Sequence, residues 1–333
     1  VKLSYRSSGV NISEADKFVD QIKPLVRKTF SGNVLSGIGN FGAFYKPDLR
    51  KFKDPVLVSS VDGVGTKIKL AAELGKLDTI GEDLVNHCVN DIAVCGAVPM
   101  YFMDYYATGK LKTKDAVAVV KGIIRGCERN GCSLTGGETA EMPGIYSGND
   151  FDLAGSITGI VEQSKIVNSN NVKRGDVLIG LRSNGLHTNG YTLVRKIFDS
   201  KKKLNQYHVE LKNTVGDELL KVHKSYLKII QSSLNNKSFK INSISHITGG
   251  GIIGNTKRVV PKNLTISIDW DAWQRPFIFG LIQKKGNVTE ADMRRTFNLG
   301  IGLIFIVPPH TSDKFIKFLK TKKETAYIIG IIN

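Results

Sequence analysis

Cysteine is scarce in this 333-residue chain: Cys88, Cys95, Cys127 and Cys132 are the only four, with no C-x-x-C pairing and no zinc-ligand rhythm. That excludes a disulfide scaffold and a zinc module. Cys88 and Cys95 fall on apolar helical positions and read as buried, reduced thiols of a cytoplasmic protein. No apolar run reaches the roughly eighteen residues of a membrane helix, and no charged-then-apolar leader opens the sequence. The expectation is a chain with no membrane partner and no secretory route. The Walker A pattern G-x-x-x-x-G-K-[S/T] is absent, as is any internal repeat, which removes P-loop nucleotidases and solenoids. Acid is in short supply too: 47 Lys+Arg against 30 Asp+Glu gives +17. Such a balance favours anionic ligands and is compatible with nucleic-acid binding. The lysines are scattered, however, and runs such as Lys201-Lys202-Lys203 carry no interleaved aromatics. Solvated faces account for them, and no nucleic-acid partner is expected.

What is present reads as an α/β protein of mixed α+β character, long enough for two cores. Residues 5–10 precede a helix that starts near Ser13, with Asp16 at capping-box distance, and runs through Phe18, Ile22, Leu25 and Val26. Helices follow at 79–97 and 114–130 and strands at 100–107 and 152–161. The polar stretch 162–176, rich in Asn and Ser, marks a boundary between domains at 1–165 and 166–333. Beyond it come strands at 177–181, 265–268, 302–307 and 327–331, and helices at 191–199 and 219–234.

Residues 56–71 carry the densest chemistry. A β-branched run, the mark of a buried strand, passes into Asp62-Gly63-Val64-Gly65-Thr66-Lys67 and then a helix. Gly63 and Gly65 let backbone amides approach an anion, and Lys67 adds positive charge. Asp62 is a hard oxygen donor for a divalent cation; alternatively it only caps the helix. In the next helix Asp83, His87 and Asp91 share a stripe at i, i+4 and i+8, where an exposed Asp83–His87 pair is favoured over a metal triad. Gly136-Gly137 after a short strand presents Glu138. With Asp62 and Asp91 it completes three carboxylates for Mg²⁺ on a polyphosphate, whereas Glu141 is assigned to local capping. The loop Gly37-Ile38-Gly39-Asn40-Phe41-Gly42-Ala43 has G-x-G-x-x-G spacing without the preceding strand of a dinucleotide fold. It reads as a flap over phosphates or a plain hairpin. His187, between two Asn-Gly pairs, has little to pack against in a polar loop, which favours function over core. Gly249, Gly250 and Gly251 form either a phosphate nest or a close-packing turn.

Six ordered segments carry a resemblance: DGVGTK at 62–67, Asn90-Asp91, YYATGKL at 105–111, LTGGETAEMPG at 134–144, GLHTNGY at 185–191 and HITGGG at 246–251. Together they closely resemble the phosphoribosylformylglycinamidine cyclo-ligase family, also called aminoimidazole ribonucleotide synthetase, from Tyr5 to Ile332. The resemblance implies an ATP-dependent closure of formylglycinamidine ribonucleotide to aminoimidazole ribonucleotide in purine biosynthesis, with release of ADP and phosphate. It also implies a homodimer of two-domain chains: an N-terminal ATP-binding and dimerisation domain whose sheets join across the two-fold axis, and a C-terminal α/β domain with a mixed sheet. By motif, Asp62, Asp91 and Glu138 resemble the Mg²⁺/ATP acids. Gly63, Gly65, Thr66 and Lys67 resemble the ATP loop, and Gly37, Gly39 and Gly42 the glycine flap. Lys23 resembles a helix lysine near the nucleotide, and His187 the histidine of the chemistry, which leaves Asp91 and Lys23 beside His187 as catalytic candidates. Gly249, Gly250 and Gly251 are assigned to the substrate phosphate from nest geometry. Asn40 and Asn11 replace a usual glycine and aspartate. A kinase of the same wider group, which would stop at phosphorylation, is the second reading.

Overall fold

The computed structural model describes residues 3, 4 and 7–333; of the stretch 5–10, Tyr5 and Arg6 lie outside the described residues. The chain divides into two compact units, one of Val1–Ile92 with Val98–Gln163, the other of Ala93–Ala97 with Ser164–Asn333.

The first unit runs α1 (Ile12–Val26), β1 (Pro55–Gly63), α2 (Lys67–Glu73), α3 (Asp78–Ala93), β2 (Val98–Thr108), α4 (Thr113–Asn130), β3 (Ser133–Glu141) and β4 (Phe151–Glu162). Its four strands lie in the order β1-β4-β2-β3; β2 and β3 are parallel and the other pairs antiparallel. A parallel pair needs a crossover, and α4 supplies it. Gly131 at φ 68° ends α4 in the left-handed conformation, so the chain can turn into β3. Helices α3 and α4 cross with their backbones in contact. A Cβ at Gly81 would lie 2.1 Å from the Val119 carbonyl oxygen, and one at Gly122 would lie 2.2 Å from that of Asp78.

Four local expectations change here. The strand β1 is an edge strand, not a buried one: Leu57 and Val61 are 63% and 72% exposed, because only β4 flanks it. No Ser13–Asp16 capping box forms. The helix α1 starts at Ile12 with Asn11 at its N-cap, and Ser13 Oγ donates to Asn11 Oδ1 at 2.8 Å. Glu141 is a long-range tie rather than a local cap. Its Oε2 accepts from the Asn11 amide at 2.7 Å and its Oε1 from the Leu111 amide at 2.8 Å. Gly136 and Gly137 lie inside β3, not after it.

The second unit runs β5 (Val177–Arg182), α5 (Tyr191–Ile197), α6 (Lys201–Leu204), β6 (Tyr207–His208), β7 (Asn213–Thr214), α7 (Val215–Leu219), α8 (Leu227–Leu234), β8 (Ser243–His246), α9 (Gly251–Thr256), β9 (Ile266–Ile268), α10 (Phe277–Gly286), α11 (Glu290–Thr296), β10 (Ile301–Val307), α12 (Ser312–Thr321) and β11 (Ala326–Ile332). The five-stranded sheet has the order β8-β10-β5-β11-β9, and every pair is antiparallel. The expected mixed sheet is therefore corrected. Alternation of strands and helices along the chain does not fix direction when sheet neighbours are distant in sequence, as β5 is from β10 and β11. The helix expected over 219–234 is two helices. The extended segment between α7 and α8 carries His223 and Tyr226 into the core, where Tyr226 Oη donates to the Arg182 carbonyl at 3.0 Å.

Candidate functional site

Residues of β1 and of the turn into α2 meet α3 through three successive pairs. Lys67 Nζ lies 2.9 and 2.8 Å from Asp83 Oδ1 and Oδ2, with both side chains fully buried. His87 Nε2 lies 2.9 Å from Asp62 Oδ2. Ser60 Oγ donates to Asp91 Oδ2 at 3.3 Å. The spacing of Asp83, His87 and Asp91 by single helical turns explains the stripe, since each turn meets one element of the β1–α2 segment. The expected exposure of Asp83 and His87 is corrected: both side chains are buried, Asp83 held by Lys67 and His87 by Asp62. Lys67, expected to add charge at an open loop, has its ammonium inside the protein. Burial pushes its pKa down, against the pull of Asp83. Burial also pushes His87 down, but Asp62, Asp91 and Asp83 outweigh it and the net shift is upward. Asp62 does not cap α2, whose N-cap is Thr66; its Oδ1 accepts from the adjacent Gly63 amide at 2.8 Å. Gly65 holds φ 66° in the turn.

Asp62 and Asp91 are thus both set on the α3 side of the sheet. Glu138 is not. Pairing registers align Asp62, Gly155, Asp104 and Gly137 in one row across the four strands, and Gly63, Ala154, Tyr105 and Glu138 in the next. Side chains of adjacent rows point to opposite faces. A Cβ at Gly155 would meet Leu84 of α3, so the Asp62 row faces α3 and Glu138 faces away. Asp62 and Glu138 also stand on opposite edge strands, about 14 Å apart at three interstrand spacings. One chain cannot close all three acids on a single ion. Asp62 and Asp91 do fit a hard divalent cation, as half-buried oxygen donors held by hydrogen bonds from outside the pair.

Glu138 instead lines a cavity of about 660 Å³ that neither Asp62 nor Asp91 lines. The flap residues Gly37, Gly39 and Gly42 border it, with Phe18 and Ile22 of α1 and Met103 of β2. The flap is a hairpin closed at its base by the Val34–Tyr45 bridge and by the Leu35 amide on the Phe44 carbonyl at 2.9 Å. Its left-handed residue is Gly39, at φ 103°, so Asn40 needs no special backbone freedom. Lys23 stands on α1, 3.4 Å from Asp20 Oδ1.

In the second unit His187 is buried, only 1% exposed, contrary to the expected open loop. Its ring stacks on His223 with centroids 4.0 Å apart and planes 17° apart, and meets Tyr226 edge-on. A Cβ at Gly302 of β10 would lie 2.5 Å from His187 Cε1, so that glycine makes room for the ring. His223 Nε2 lies 3.0 Å from His246 Nε2, so one of the two carries the shared proton. Ligand nitrogens of the three histidines lie within 4.8 Å of one another. Imidazole lone pairs lie in the ring plane, however, and near-parallel stacked rings cannot both aim at one ion. The glycine turn divides in two. Gly251 is a packing residue, its added Cβ falling 1.9 Å from the Arg294 carbonyl oxygen, and its amide is bonded to the Thr248 carbonyl at 3.2 Å. Gly249 and Gly250 are exposed.

Sequence reasoning missed the pairing of His87 with Asp62, and it missed Asp104, His223 and His246. For His87 the stripe was the available signal. His223 sat inside an expected helix and gave none.

Comparison with known proteins adds the family. Residues 48–161 match the model described as AIR synthase related protein, N-terminal domain, and residues 173–333 the corresponding C-terminal domain. The phosphoribosylformylglycinamidine cyclo-ligase of Thermoanaerobacter pseudethanolicus is 48% identical over 332 residues, covering 99% of this chain and 97% of that one. Its counterpart from Thermodesulfovibrio yellowstonii is also 48% identical, with 99% and 96% covered. Among solved structures, thiamine-monophosphate kinase from Stenotrophomonas maltophilia superposes with a TM-score of 0.69 at 15% identity, covering 95% of this chain and 92% of that one. Hydrogenase maturation protein HypE in complex with ATP gives 0.67 at 14%, covering 98% and 87%. These two likenesses show the fold.

Proposed function

The chain belongs to the AIR synthase related family as a phosphoribosylformylglycinamidine cyclo-ligase, and from that premise we propose how its residues divide the reaction. The enzyme closes the imidazole ring of aminoimidazole ribonucleotide in de novo purine biosynthesis, at the expense of ATP. The observation that carries the assignment of roles is the Asp62–Asp91 pair, two carboxylates on the α3 side of the sheet fixed by His87 and Ser60.

An amide oxygen is a poor leaving group. Phosphoryl transfer from ATP to the formyl oxygen of formylglycinamidine ribonucleotide gives an iminophosphate and ADP. The amidine nitrogen then attacks that carbon, the C–O bond breaks and phosphate leaves with its electron pair. Mg²⁺, when held by Asp62 and Asp91, neutralises polyphosphate charge. The backbone of Gly65 and Thr66 binds phosphate oxygens, while the Gly63 amide is committed to Asp62. Lys67 supports the turn from inside through Asp83 rather than by touching the nucleotide. The flap with Gly37, Gly39 and Gly42 borders the Glu138 cavity, so it acts with Glu138 rather than with Asp62, and Lys23 on the adjoining helix adds a half-exposed cation there. His187 is assigned to orienting the formyl group or moving the amidine proton, a role that requires the ring, buried on its stack with His223, to be uncovered when substrate binds. Gly249 and Gly250 take the ribose phosphate.

The partner is a second copy. Leu57, Val61, Val98 and Met103 are exposed apolar residues on the sheet face turned away from α3, an unusual patch for a chain that stands alone. Glu138 lies on that same face, so a second copy covering it meets Glu138 rather than Asp62 of the first.

A coupled ADP-release assay tests the reading. Formylglycinamidine ribonucleotide is expected to support ADP release and ring closure, and thiamine monophosphate neither; the reverse would make the chain a kinase. Asp62→Asn and Asp91→Asn should each abolish turnover in a folded protein. His187→Ala should lower kcat by roughly 10²–10⁴-fold if the ring moves a proton, and unchanged turnover would reduce it to a core histidine.

A further inference from the structure

The stripe on α3 has a consequence for Asp62. Its Oδ2 lies 2.9 Å from His87 Nε2, and its Oδ1 accepts from the Gly63 amide at 2.8 Å. Both carboxylate oxygens are therefore gripped from the protein side, and each keeps a lone pair for an outside ligand. His87 is itself almost fully buried and cannot swing to solvent. One helical turn either side of it, Asp83 is fixed by Lys67 and Asp91 is held by Ser60. An aspartate at the end of an edge strand would otherwise rotate about two side-chain torsions. A metal-binding oxygen that must be localised by the ion costs affinity, and an outer histidine that sets its direction removes that cost.

We propose that His87 is a positioning residue for the nucleotide-bound divalent cation: it orients the Asp62 carboxylate and thereby sets the affinity for the metal–nucleotide complex without touching either. The inference rests on the assignment of Asp62 to the cation. It differs from a purely structural role for His87, which would alter folding and leave metal-dependent binding unchanged.

The test is calorimetric binding of a β,γ-methylene analogue of ATP to the full chain, with Mg²⁺ and with Mg²⁺ replaced by chelator. His87→Leu removes the donor. His87→Asn keeps a polar amide too short to reach Asp62, and serves as the second variant should the leucine protein fail to fold. His87→Gln retains a donor at about the right reach. The leucine and asparagine variants should bind the Mg²⁺–analogue complex about 10–100-fold more weakly, and the analogue alone within about threefold of the unaltered chain. The glutamine variant should recover most of the loss. Asparagine or leucine variants with unaltered Mg²⁺–analogue affinity would overturn the inference, as would a loss equal with and without Mg²⁺. Asp62→Asn run in parallel separates the two levels. If it too binds the complex normally, the assignment of Asp62 fails; if it weakens binding while the His87 variants do not, only the role of His87 fails.

Discussion

Asp104 offers the sharpest quantitative check on the N-terminal unit. It lies in the row Asp62–Gly155–Asp104–Gly137, in the strand between β4 and β3. A Cβ on Gly137 would stand 2.4 Å from its Oδ1, so the neighbouring glycine is what leaves it space. Burial pushes its carboxyl from the usual 3.8 up to about 7, and a backbone hydrogen bond offsets little of that. The unfolded chain releases this proton near pH 4 and the folded chain near pH 7. Between those values the folded state holds a proton that the unfolded state has lost, so stability falls as pH rises through the window. It is highest below pH 4 and level again above 7. Three units at 1.36 kcal/mol each set an upper limit of about 4 kcal/mol on this one group. Asp104→Asn keeps the shape and removes the charge. Its stability relative to the unaltered chain should rise between pH 5 and 7.5 by about 2–4 kcal/mol and then stay constant. Urea unfolding of both proteins across that range measures the difference, in which the opposite pH trends of salt-bridged carboxylates cancel. The ¹³C shift of the Asp104 carboxyl should titrate near 7. Parallel stability curves, or a carboxyl that titrates near 4, would refute the reasoning.

Lys67→Met should cost about 3–5 kcal/mol in urea unfolding, because Asp83 is left charged and buried; Lys67→Met with Asp83→Leu should recover much of it, and an unaffected single variant would show that the pair is not dry. Gly251→Ala should unfold the C-terminal unit or cost at least about 2 kcal/mol, since its Cβ would strike the Arg294 carbonyl at φ 67°. Gly249→Ala should cost less than about 1 kcal/mol and instead raise the KM for the ribonucleotide; equal destabilisation by the two would make the whole turn a packing device. Glu141→Ala frees the Asn11 and Leu111 amides and should cost about 2–4 kcal/mol. Faster amide exchange at the start of α1 should accompany that loss.

Elements with strong periodicity were legible. The helix α4, expected at 114–130, forms at Thr113–Asn130, and the strand expected at 152–161 forms at Phe151–Glu162. What failed depended on contacts distant in sequence. Nothing local in Leu219–Leu234 says that His223 and Tyr226 leave the helix; the reason lies in the Arg182 carbonyl and in the ring of His187. The β-branched stretch of β1 looked buried because burial and propensity share residue types, and only the sheet order makes it an edge. Lys67 looked like a phosphate-binding cation because glycines flank it on the N-terminal side. Asp83, one element away, turns it inward.

The acids make the same point about the site. Composition and motif gave Asp62, Asp91 and Glu138 equal standing, yet strand parity separates them. Asp62 faces α3 and Glu138 does not, whatever their rotamers. Whether Glu138 completes a site of its own chain or of another's yields a prediction in mixed dimers. Asp62→Asn and Glu138→Gln chains are each expected to be inactive alone. In a mixed dimer with shared sites, one site receives both substitutions and the other neither. Random exchange of equal amounts makes half the dimers mixed, so about one quarter of the unaltered activity should return. If each chain uses its own Glu138, every site carries one substitution and nothing returns. Co-refolding the two inactive proteins and measuring ADP release therefore decides between the arrangements without any further structure. No recovery, with mixed dimers demonstrated by differential tagging, would detach Glu138 from the partner's nucleotide.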